Sequence, residues 1–229
     1  MSGNNDLLEK ARMEKIIMSL ENERKAFNNN RRETEMKLEN TKMSLEREKK
    51  NLCGFIDDWT YFNEVAPPDE NGKRPNPVIL NEIKALPAKE TGYRLQIIEM
   101  NADTKGYFAP IGKLFRFDLV VRSYHDMEEK KHNRFYIVGA NGYKYLHNHG
   151  HLAKTPEKAA YYFVYALEHL PRLIEYAKKQ IELLETNIPV LEKILETTWN
   201  NAPKLQKIRN ELAAIDRKIK NALEIKQFP

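Results

Sequence analysis

From Asn5 to about Asn63 the chain contains no proline and a single glycine, Gly54. Glu, Lys, Arg, Leu and Met fill the interval, all residues that lose little on entering a helix. Such a stretch reads as one very long helix or two in series, opened by Asp6 as N-cap. Leu38, Leu45, Leu52 and Trp59 recur every seven residues, with Phe55 and Phe62 beside them. That spacing is the seam of a coiled coil. Between Glu21 and Glu35 the apolar residues are Ala26 and Phe27, and Asn28-Asn29-Asn30 follows. A kink or a break is expected there.

The end of the chain repeats the pattern. Thr155-Pro156-Glu157 reads as a helix start, with Thr at the N-cap and Pro at the first helical position. Ala159, Ala160, Phe163, Leu167 and Leu170 follow, and Pro171 is expected to bend the element. Ala177, Ile181, Leu184, Ile188, Leu191 and Leu195 then alternate spacings of four and three. Pro189 does not shift that phase, so the helix is expected to continue through it. After Trp199-Asn200-Asn201-Ala202-Pro203 a last helix carries Leu205, Ile208, Leu212, Ile215, Ile219 and Leu223. Two adjacent seams joined by a short turn predict an antiparallel helical hairpin, with the N-terminal helix as a third member.

The middle is different. Ala66 to Pro77 is rich in Pro, Asn, Asp and Gly and reads as a loop. Val78–Leu86 suits a short helix or strand, and Tyr93–Met100 reads as a strand. From Lys113 to Tyr124, Phe115, Phe117, Leu119 and Val121 alternate with Arg116, Asp118 and Arg122, the pattern of a strand with one wet side. Phe135–Val138 gives another strand, and Asn141-Gly142 marks a tight turn into Tyr143–His147. The expected class is α+β, with a long N-terminal coiled-coil helix (1–65), a Pro-rich linker (66–91), a small antiparallel β module (92–152) and a helical hairpin (153–229) packing on the first helix.

Apolar residues make up 41% and charged residues 31%, which suits long solvated helices more than one compact body. The net charge is +5. Residues 1–65 hold 12 basic and 13 acidic groups, and residues 66–152 and 153–229 each hold 13 and 10. This bias falls short of the basic stripe of a duplex-DNA binder, yet it permits contact with RNA, DNA or an acidic protein face. Cys53 is the one cysteine, so neither an intrachain disulfide nor a Cys-based zinc site can form. On its helix it reads as a packed thiol. The polar start and the lack of a membrane-length apolar run suggest a cytoplasmic protein with no membrane contact.

No motif points to catalysis. His147, His149 and His151 alternate, and on a strand would face one side, as metal ligands can. With no Cys or carboxylate placed beside them, a polar strand end is the preferred reading and no metal is expected. Asp118 with Glu128 and Lys130 resembles a nuclease set only faintly, because the latter two lie in a turn-like charge run. Gly139–Gly142 is no phosphate loop, and none of Ser2, Ser19, Ser44 and Ser123 sits in a nucleophile elbow. No cofactor is expected.

The aromatic residues of the β module are more informative. Phe115, Phe117 and Phe135 are read as core. Tyr136, Tyr143 and Tyr145 lie among Lys113, Arg116, Arg122, Arg134 and Lys144. Stacking rings beside cations are what single-stranded nucleic acid requires, so these eight residues form the candidate binding set.

Four stretches carry a family resemblance: GYFAPIGKLFRFDLVVRS, NRFYIVGANGYKYLHNHGHLA, IPVLEKILETTW and ELAAIDRKI. In that order they resemble the C-terminal region of very large helicase–adenine DNA methyltransferase proteins carried by Bacteroidetes mobile elements. The resemblance spans roughly residues 92–219. It includes Gly150-His151 but not the full histidine run, and neither the helicase motor nor the methylase motif is present. It therefore implies a non-catalytic accessory module. As a free-standing chain it is similar to phage or plasmid anti-defence proteins of the anti-CRISPR type. The implied function is antagonism of a host defence by docking on a CRISPR effector or similar nucleic-acid-handling protein. The alternative is direct binding of single-stranded RNA or DNA by the sheet; a third reading is a self-assembling homo-oligomeric coiled coil.

Overall fold

The computed structural model describes residues 2–81 and 84–225. The chain is α+β, in the order α1 (Ser2–Val65), β1 (Val78–Leu80), α2 (Ala88–Asn101), β2 (Ala109–Leu114), β3 (Phe117–His125), β4 (Lys131–Val138), β5 (Lys144–Tyr145), α3 (Pro156–Ala160), α4 (Tyr162–Glu168), α5 (Leu170–Leu195) and α6 (Ala202–Ile225). It divides into two compact units, Met1–Met43 with Leu184–Pro229, and Ser44–Leu183. No described helix is long and apolar enough to cross a membrane.

In α1 the expected break at Asn28–Asn30 does not occur, and Asp6 lies inside the helix rather than capping it. Every backbone bond of an α-helix is local, so three asparagines cost propensity without removing a hydrogen bond. The heptad seam extends further than its leucines suggest. Met13, Ile17, Leu20, Phe27, Leu38, Leu45, Leu52, Phe55, Trp59 and Phe62 are buried or half-buried at spacings of three, four, seven and eleven.

In the first unit α1 is covered by the end of α5 and by α6. Lys42 pairs with Glu192 at 2.8 Å, Arg209 with Glu21 at 2.6 Å and Lys10 with Asp216 at 2.6 Å. As α1 numbers fall, the partner numbers rise through α5 into α6. The expected hairpin is therefore absent. The two helices follow one another antiparallel to α1, and Leu191, Leu205 and Ile215 of their apolar seams are buried, as is Leu20 of α1. A seam that continues along α1 from Leu45 back to Met13 offers both helices a partner without reversing the chain. Pro189 lies within α5, as its undisturbed phase implied. The side chain of Leu223 and residues 82–83 lie outside the described residues.

In the second unit five antiparallel strands follow chain order, β1 to β5. Lys113–Tyr124 is not one strand. Phe115 has φ +52°, and β2 folds back on β3 with Leu114 opposite Phe117. The turn puts Leu114 and Phe117, three residues apart, on one face and so shifts the alternation, but Phe115 in the turn falls in step with Phe117, Leu119 and Val121, which conceals it. Gly142, at φ +72°, closes the expected turn between β4 and β5. Tyr93–Met100 belongs to α2, which buries Thr91, Gly92 and Leu95 and leaves Tyr93, Ile97 and Met100 exposed. The helix after Thr155 breaks at Tyr161 and His169, and Pro171 sits in the first turn of α5.

The inner face of the sheet carries Leu114, Phe117, Leu119, Val121, Phe135, Ile137 and Tyr145. It packs with Phe55 and Phe62 of α1, Leu95 of α2, and Tyr162, Phe163 and Leu167 of α4. Cys53 is exposed, contrary to the packed thiol expected of it.

Candidate nucleic-acid interface

Residues directly opposite each other on antiparallel strands share a face. Arg122 faces Arg134, Val120 faces Tyr136, Tyr124 faces His132, and Val138 faces both Asp118 and Lys144. Lys113 faces Asp118. All therefore lie on the outer face, whereas Ile137 and Tyr145 pair on the inner one.

Two aromatic centres organise the outer face. Phe108, just before β2, is 39% exposed. The Arg122 guanidinium lies 5.2 Å from its centroid, the Lys144 ammonium 4.6 Å, and the Tyr136 ring meets it edge-on at 5.3 Å. Arg122 Nε also donates to the Gly106 carbonyl at 2.8 Å. The second centre is Tyr124, stacked on His132 with centroids 5.3 Å apart and overlaid by Arg134 at 4.4 Å. The Arg134 Nε is enclosed and has no hydrogen-bond partner. Among the described residues no carboxylate pairs with Arg122, Arg134 or Lys144. Lys113 does pair, with Asp118 at 3.3 Å.

Three members of the expected set belong elsewhere. Arg116 sits in the β2–β3 turn and donates to Asp57 at 3.0 Å and Asp58 at 2.9 Å, with its guanidinium 4.0 Å from the Tyr61 centroid. Tyr145 is 2% exposed, and its hydroxyl donates to Asp58 Oδ2 at 2.7 Å. Burial, then the neighbouring Asp58 carboxylate, pushes the Tyr145 phenol far above its ordinary value. Tyr143 packs edge-on to Phe55 at 4.8 Å. Asp58 is wholly buried and also accepts the Ala140 amide at 2.9 Å. A buried carboxylate must be paired and hydrogen-bonded, and Arg116, Tyr145 and Ala140 do this. These contacts tie α1 to the β2–β3 and β4–β5 turns of the sheet.

Sequence reasoning missed Asp58, Phe108, Tyr124 and His132. A signal for Asp58 exists: an acid inside GFIDDWTYF, one residue before the seam position Trp59. None marked Phe108, whose role depends on Arg122 and Lys144 from other strands.

The histidine run does not form a strand. His149 has φ +54° and Asn148 +44°, so the three imidazoles do not share a side. His147 Nδ1 instead meets His169 Nε2 at 3.1 Å. Burial and the nearby His169 lower the His147 imidazole below its ordinary value. Among the described residues no three His, Cys, Asp or Glu are grouped to hold a metal ion. Glu128 and Lys130 lie in the turn that Asp126 organises, accepting both of their amides at 2.9 Å.

No curated protein and no solved structure matches the chain. A family model described as a domain of unknown function (DUF8438) matches residues 63–167, which contain the whole sheet, α2, α3 and nearly all of α4.

Proposed function

We propose that the chain is a non-catalytic accessory protein of a mobile element that binds single-stranded RNA or DNA along the outer face of its sheet. The observation that supports this is the state of Arg122, Arg134 and Lys144. Each lies against an aromatic ring, and none pairs with a carboxylate among the described residues. Cations not neutralised by the protein can donate to phosphate, and rings beside them offer stacking surface. Arg116 and Tyr145 act as structural partners of Asp58 and take no part in binding.

Fluorescence anisotropy with labelled single-stranded oligonucleotides tests the proposal. Arg122→Ala/Lys144→Ala should weaken binding and reduce the salt slope by about 1.4, roughly 0.7 for each lost phosphate contact. Affinity equal to the unsubstituted protein would end this reading.

A second reading has its own support. Leu7, Met18, Met36 and Met43 are 54–64% exposed. Their spacings of 11, 18 and 7 place them on one line of α1, opposite its seam. Exposed apolar residues spaced along one helix line among polar ones suit docking on another protein, as an anti-CRISPR antagonist of a CRISPR effector requires. Inhibition of a purified effector nuclease, lost in Met18→Glu/Met36→Glu, would support it. A stable homo-oligomer on sedimentation, broken by the same substitutions, would instead assign that line to self-association.

A further inference from the structure

The α1 seam contains two positions that break its own rule. Between Leu20 and Leu38 the spacing of four and three puts residues 24, 27, 31 and 34 in the seam, and two of these are Arg24 and Arg31. Charged residues at seam positions reduce coiled-coil stability. They stand where the helices covering α1 are interrupted, between the end of α5 and the start of α6. A recess of about 400 Å³ lies there. Its apolar lining includes Phe27 and Trp199, and Arg24, Arg31 and Arg209 contribute three guanidinium groups. Among the described residues no carboxylate lines it. Glu35 touches Arg31 Nε at 3.3 Å and Glu21 touches Arg209 at 2.6 Å, but neither glutamate lines the recess.

The plain account is that a gap in the covering helices exposes these positions to water. That account explains polar residues, but it does not explain why three guanidinium groups and an indole line one recess, with Arg31 and Arg209 each sharing its charge with a glutamate and Arg24 paired with no carboxylate among the described residues. Guanidinium groups match phosphate oxygens bidentately, and an indole offers a flat stacking surface. Arg24 and Arg31 are roughly 10 Å apart along the helix axis, a span suited to a phosphate chain. The volume lies within the roughly 300–1,000 Å³ of small-molecule sites.

We propose that this recess binds a nucleotide, its base against Trp199 and its phosphates between Arg24 and Arg31. The site lies outside residues 63–167 and does not depend on the sheet. Trp199 supplies the readout, since the chain has two tryptophans and Trp59→Phe leaves one. Titration of this variant with ATP should change Trp199 fluorescence saturably. Calorimetry on the unsubstituted chain should give the same affinity, which guards against damage by Trp59→Phe. Arg24→Ala and Arg31→Ala, both at exposed residues, should each weaken ATP about tenfold or more, the usual effect of losing a hydrogen bond to a charged group. Arg122→Ala/Lys144→Ala should leave ATP affinity unchanged, so this proposal and the sheet reading fail separately. No saturation at millimolar ATP, or undiminished affinity in Arg24→Ala/Arg31→Ala, overturns the proposal. Pyrophosphate binding as tightly as ATP overturns the assignment of the base to Trp199.

Discussion

Arg116 and Arg122 stand six residues apart beside the same sheet, and each lies over an aromatic ring, Tyr61 for one and Phe108 for the other. What separates them is a carboxylate. Arg116 reaches Asp57 and the buried Asp58, whereas Arg122 reaches a backbone carbonyl at Gly106. The first arrangement is closed: Arg116, Tyr145 and the Ala140 amide surround Asp58. The second is open, with two cations sharing one exposed ring. A cation beside an aromatic residue is therefore no sign of a binding surface by itself. On this sheet the sign is a cation whose charge the protein has not already matched.

The comparison can be broken from its closed side first. Asp58→Ala leaves the Tyr145 hydroxyl and the Ala140 amide without their acceptor, while the partly exposed Arg116 keeps Asp57. It should cost about 1–3 kcal/mol for each of the two donors so stranded, read as a lower urea midpoint. Tyr145→Phe keeps the ion pair and loses one hydroxyl, and should cost about 1–3 kcal/mol at neutral pH.

Tyr145 also predicts a pH dependence. An unfolded tyrosine ionises near pH 10, while folded Tyr145 and Tyr162 are held above that by burial. Above about pH 10 the unfolded chain therefore binds fewer protons than the folded one, and stability falls as pH rises. The tyrosines' contribution is fully present below that pH. Denaturation midpoints through the alkaline range should decline for the unsubstituted protein and decline less for Tyr145→Phe. Equal slopes would place Tyr145 in water. The smallest stability effect is expected on the open side: Arg122→Ala/Lys144→Ala should stay within about 0.5 kcal/mol of the unsubstituted protein, while oligonucleotide binding drops.

The parts of the fold that repeat were the legible ones. The α1 heptads, the α5 phase across Pro189 and the Asn141-Gly142 turn each carry a local signal, and each appears in the structure. What failed depends on distance along the chain. The β2–β3 turn is hidden because Phe115, inside it, keeps step with Phe117, Leu119 and Val121 and extends their alternation backwards through the turn. The α2 helix is hidden because Tyr93, Ile97 and Met100 face outward, so its apolar residues do not fall on one stripe. The missing hairpin is a choice of partner. The α5 and α6 seams could meet each other or α1, and periodicity does not distinguish the two. In the candidate interface, Arg122, Arg134, Tyr136 and Lys144 were legible as a cationic and aromatic set. Their separation from Arg116 and Tyr145 rests on Asp58, 58 and 87 residues away from those two.

Gly92 gives the matched domain a fixed point. A Cβ built there would overlap the main chain of Pro156, so α2 and the first turn of α3 meet backbone against backbone. Most crowded positions in a protein can yield, because a neighbouring side chain rotates away. This one has nothing to rotate. Any larger residue must part the two helices or unseat Pro156, so relatives that keep this geometry should differ freely along the outer surface of α2 and still share a glycine at residue 92.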